Sequence, residues 1–73
     1  MLLNEMKDLQ IFTKEIAVQG IIYEDEINSL RQTVLSFVEK TKSKGYIVEV
    51  QWLQSSDKHK TYLTAVCTVT DFL

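Results

Sequence analysis

The chain has 73 residues, 45% hydrophobic and 25% charged, with two glycines, no proline and a formal net charge of −2. That length holds one domain, residues 1–73, and the apolar content with little net charge excludes a disordered chain. A single cysteine, Cys67, excludes an internal disulfide framework, and so even a charge balance argues against a dedicated nucleic-acid binder, whose footprint is a strongly basic face.

A domain of this size buries only about 60–65% of its unfolded surface and is marginal without staples or partners. No secretory leader is expected, because Glu5 and Asp8 interrupt MLLNEMKDL before an apolar run forms. No window approaches the roughly 18 uninterrupted apolar residues of a membrane span. The expected compartment is the reducing cytoplasm.

Charge is unevenly placed. Residues 1–36 carry three basic against six acidic side chains, a net −3, and residues 37–73 carry five against four, a net +1.

In chain order, residues 4–19 fit an amphipathic helix. Leu2, Met6, Leu9, Phe12 and Ile16 recur at spacings of three and four. Asn4 stands where an N-cap belongs, and Gly20 where a left-handed glycine ends a helix. Ile11 and Val18 then lie on the opposite face. Isolated exposed apolar residues are common on soluble proteins, but two on one face also fit a partner surface. The run Ile16 to Tyr23 is rich in β-branched residues, which keeps a strand-first order, β-α-β-β, open.

Ile21, Ile22 and Tyr23 read as a short apolar connector. A second helix is expected from about Glu24 to Lys44. Ile27, Leu30, Val34, Phe37, Val38 and Thr41 form its apolar stripe. Glu24, Asp25 and Glu26 crowd its start, and Lys40, Lys42 and Lys44 its end, both complementing the helix dipole. Gly45 is placed to stop it.

Tyr46 to Thr70 alternate as two strands around a charged turn. Tyr46, Val48, Val50 and Trp52 are expected inside on the first strand, and Leu63, Ala65, Cys67 and Val69 on the second. Opposed residues point the same way, so paired numbers sum to an odd value and the loop has even length. Centring on Asp57-Lys58 sets Trp52 opposite Leu63, Val50 opposite Ala65 and Val48 opposite Cys67. Without glycine, a four-residue turn over Ser56 to His59 is favoured over a two-residue mirror-image turn.

The expected fold class is therefore α+β, two N-terminal helices packed on a C-terminal antiparallel hairpin (ααββ). The hairpin's long, proline-free edges predict a homodimer with a continuous or stacked sheet. In the strand-first alternative (βαββ), residues 24–70, a helix followed by a long hairpin bearing Trp52, resemble in topology the dodecin-like small flavin binders. No function is carried over from that likeness.

No catalytic motif, metal-ligand spacing or cofactor loop is present, so neither an enzyme nor a cofactor is expected. His59 is a lone loop histidine. Cys67 alternates with apolar neighbours and reads as a small core hydrophobe. Glu24, Asp25 and Glu26 project about 100° apart on a helix and do not converge on one ion.

The expected function is a small protein-protein interaction module: a dimeric adaptor, regulator or inhibitor of a larger partner. Such short, motif-poor acidic chains are frequent among phage and mobile-element accessory proteins. Its candidate contact residues are Ile11, Val18, Tyr62, Thr64, Val66, Thr68, Phe72 and Leu73. The alternative is a nucleic-acid-binding regulator using Lys40, Lys42, Lys44, Lys58 and Lys60. A small-ligand carrier at a dimer interface ranks third.

Overall fold

The computed structural model describes residues 6–71. Among them are one α-helix and four antiparallel strands, in the order β1 (Met6–Val18), β2 (Ile21–Ile22), α1 (Glu24–Lys42), β3 (Tyr46–Ser56) and β4 (Lys60–Asp71). The strands form one sheet in the spatial order β2-β1-β4-β3, curled into a half-barrel. The helix packs on one face and touches β1, β3 and β4.

The ααββ expectation is overturned. Residues expected to form a first helix are β1, the longest strand, and it pairs with β4 from Met6 to Val18. The helical spacing misled because its apolar residues serve two faces of one strand. Leu9 and Ile11 lie on the side away from the helix, whereas Phe12 turns toward it and meets Phe37 edge-on, ring centroids 5.6 Å apart. The strand-first alternative placed its strand too late, over Ile16 to Tyr23, and lacked β2. Gly20 ends no helix. With Gln19 at φ 49° and Gly20 at φ 81°, it makes the tight β1–β2 turn, whose mirror-image geometry requires positive φ at both central positions. Asn4 lies outside the described residues.

Helix α1 begins where the sequence places it and ends at Lys42, with Gly45 at φ 93° turning the chain into β3. Its start has no side-chain cap, so the Glu24, Asp25 and Glu26 charges in the first turn are the local support there. Lys14 of β1 reaches Glu26 at 2.8 Å and fastens that turn to the sheet.

Leu30 and Val34 press onto Ala65 and Cys67 of β4, all four 4% exposed or less, with Phe12, Phe37, Val38, Val48, Val50 and Leu63 packed around them. Ala65 and Cys67 are small, which lets the helix approach the central strand.

Opposed residues of β3 and β4 do sum to an odd number, but the register is displaced by two from that expected. Trp52 faces Ala65, Val50 faces Cys67 and Val48 faces Val69. The cause is the turn. Asp57 donates its N–H to the Lys60 carbonyl at 2.8 Å and accepts the Lys58 N–H on Oδ1 at 2.7 Å, which moves the tip to Lys58-His59. Neither tip residue has positive φ, so this short turn is not a mirror-image one.

Trp52 shares the parity of Val48 and Val50 but is not core, being 44% exposed. The molecule extends 48 Å along its longest axis, and a 19-residue helix spans only about 28 Å at 1.5 Å per residue. Trp52 stands beside Ile27 and Arg31 in the first turns of the helix, with the hairpin tip projecting beyond.

Leu30→Ala should lower unfolding stability by about 3 kcal/mol in chemical denaturation, because a buried leucine is replaced by a cavity. Gly20→Ala should cost about 1 kcal/mol, and Gly20→Asn less, since a Cβ at Gly20 meets no atom within 4 Å and the penalty is purely conformational.

Candidate protein-binding face

The helix covers one side of the sheet, and among the described residues no element covers the other. Alternation and register define that outer side. Across β1, β4 and β3 it presents Leu9, Thr68 and Glu49; then Ile11, Val66 and Gln51; then Thr13, Thr64 and Leu53; then Glu15, Tyr62 and Ser55. Met6, Leu9, Ile11 and Leu53 are 60%, 45%, 58% and 47% exposed.

The face is nearly uncharged. Glu15 and Lys60 neutralise one another at 3.4 Å, which leaves Glu49 toward the open edge. The Thr13 and Thr64 hydroxyls lie 3.1 Å apart across β1 and β4, so this polar row is satisfied by a cross-strand contact of its own.

Of the predicted contact residues, Ile11, Tyr62, Thr64, Val66 and Thr68 come together here. Val18 joins them through a bulge. Seven positions from Ile11, it would fall on the opposite face of a regular strand. Register slips between Glu15 and Ala17, so Ile16 is the extra residue and Val18 pairs with Lys60 on the outer side. Ile16 is buried, and its carbonyl accepts the Tyr23 N–H at 2.7 Å, so the bulge also anchors the approach to the helix. Phe72 and Leu73 lie outside the described residues.

Leu9, Leu53 and Met6 were not among the residues expected on this face. The signal for Leu9 was its i−2 spacing from Ile11, legible only once residues 6–18 are known to be a strand. Leu53 has the parity of Glu49 and Gln51, which marked it as outward.

The two lysine groups are not brought together. Lys40, Lys42 and Lys44 lie at the end of the sheet where Tyr46 pairs with Asp71. Lys58 and Lys60 lie where Ser56 pairs with Thr61. An 11-residue strand, roughly 33 Å long, separates them. No described group of three or more His, Cys, Asp or Glu residues is arranged to hold a metal ion. No described helix is long and apolar enough to cross a membrane.

Cys67 is fully buried under the helix, and burial pushes its thiol pKa up. A thiol reagent should leave the native protein unmodified and label one thiol per chain after denaturation. The folded state holds the thiol proton more tightly than the unfolded state. This contribution is therefore fully present below the ordinary thiol pKa of about 8.5 and is lost as pH rises above it. Urea midpoints measured between pH 7 and 10 should decline in the wild type more than in Cys67→Ala.

No protein-family model, curated protein or solved structure matches this chain.

Proposed function

We propose that the chain is a small protein-protein interaction module, a dimeric adaptor or regulator that docks a larger partner on the outer face of its sheet. The observation that carries this reading is the uncovered face itself. Ile11, Val66, Leu9 and Leu53 stand in adjacent rows of the sheet, with threonines between them and one unneutralised carboxylate, Glu49, at the side. A face with this composition suits the centre of a protein interface, where charge is depleted and apolar contact is surrounded by polar groups.

The free thiol of Cys67 fits a reducing compartment, and we place the module in the cytoplasm. A nucleic-acid role has less support, because the lysines that would form its footprint are divided between two ends of the sheet.

The test is affinity capture from the source cells with tagged wild type and Val66→Lys. Val66 is the middle of its row, between Ile11 and Gln51. Wild type should recover a stoichiometric protein partner, and the variant should lose it by at least about tenfold, as expected when a central contact is replaced by a charge. Circular dichroism should show the variant folded. The proposal fails if wild type recovers no stoichiometric partner or if the folded variant recovers it equally well.

A further inference from the structure

We propose that β3 is the edge through which two copies join, pairing antiparallel with the β3 of a second copy about a two-fold axis at Val50. The two four-stranded sheets then become one continuous sheet with both helices on the same side. This deepens the dimeric part of the reading above, on which it rests, and does not depend on the outer face being the partner surface.

The first ground is the state of the edge. The Asp57 to Lys60 bond sets the phase of the β3–β4 ladder, so the odd-numbered residues of β3 direct their backbone groups at β4. Those of Tyr46, Val48, Val50, Trp52 and Gln54 point to the open side, where no described element pairs with them. Natural sheets blunt such edges with lysine, proline or bulges. β3 has none of these; its register against β4 is unbroken and Glu49 is its one charge. The open edge of β1 is different. It has register slips at Lys7 and at Ile16, and it carries Lys7, Asp8, Lys14 and Glu15.

The second ground is self-complementarity. From Ile47 to Leu53 the strand reads Ile, Val, Glu, Val, Gln, Trp, Leu, which has the same apolar and polar order from either end. A two-fold axis requires this. Pairing about Val50 sets Val48 against Trp52 of the second copy, Ile47 against its Leu53 and Glu49 against its Gln51. An axis at Gln51 instead sets Glu49 against Leu53, Val48 against Gln54 and Ile47 against Ser55.

Exposure points the same way. Trp52, Leu53 and Tyr46 are 44%, 47% and 37% exposed along this edge. Leu35, one helical turn beyond Arg31 on the helix flank beside Trp52, is 47% exposed. Edge pairing covers both flanks at once and seats each Trp52 on Val48 of the other copy. Charge agrees as well. The axis makes the two helices antiparallel, so the acidic first turn of one, Glu24 and Asp25, runs toward the basic last turn of the other, Lys40 and Lys42.

The test uses the full chain with Glu49→Cys and Gln51→Cys prepared separately. About a Val50 axis, positions 49 and 51 of opposite copies form a non-hydrogen-bonded pair with Cα atoms about 4.5 Å apart, within disulfide range. Native Cys67 is buried and does not compete. Mild oxidation of an equimolar mixture should give a disulfide-linked dimer of twice the 8.5 kDa chain mass, and either variant alone should not. In light scattering, Trp52→Lys should weaken the dimer at least about tenfold, and Val66→Lys should leave it intact. The proposal is overturned by a concentration-independent monomer, by Gln51→Cys cross-linking alone as fast as the mixture, or by a dimer that Val66→Lys dissolves and Trp52→Lys does not. Loss of the captured partner in Val66→Lys with the cross-linked dimer unchanged supports the edge and separates it from the partner-binding face.

Discussion

The pairing of β4 on both of its edges is the constraint on which the rest of the fold depends. A strand of 12 residues carries a backbone donor and acceptor at nearly every position, and β1 and β3 together satisfy them along almost its whole length. This central place lets Ala65 and Cys67 be fully buried, with a strand on either side and the helix above. Their small side chains in turn admit Leu30 and Val34. A larger residue at either position would lift the helix from the sheet and expose the core it closes.

Two bulges in β1 adapt that pairing to a curled sheet. Each changes which face the following residues occupy, and each has its own local attachment. At Lys7 the side chain reaches Asp71 at 3.1 Å, tying the start of β1 to the end of β4. At Ile16 the extra residue is buried and its carbonyl holds Tyr23. β1 delivers Phe12 to the helix and Ile11 to the outer face, and the second slip brings Val18 to that same outer face. The bulge that anchors the approach to the helix therefore also adds Val18 to the candidate binding surface.

The molecule is 48 Å long and its helix about 28 Å, so part of the sheet's inner side lies beyond the helix. The polar hairpin tip tolerates water. The outer face and the β3 edge are less suited to it, one for its apolar rows and the other for its unpaired backbone. In so small a domain these surfaces and the core draw on the same few apolar residues, so assembly and stability are closely linked.

The sequence by itself determined what depends on neighbours a few positions away. The helix from Glu24, expected to Lys44 and ending at Lys42, its dipole-matched charges, the alternation of β3 and β4 and the gathering of Tyr62, Thr64, Val66 and Thr68 on one side all follow from periods of 3.6 or 2. Tertiary structure decided the rest. Residues 6–18 are a strand because β4 needs a second neighbour, a demand made from more than 40 positions away that outweighs a local helical spacing. The two-residue displacement of the hairpin came from how Asp57 bonds at the tip. Trp52, inward by parity, is exposed because it stands on the edge strand with only the first turns of the helix beside it. Periodicity assigns a residue to a face, but only the packed molecule shows whether another element covers that face.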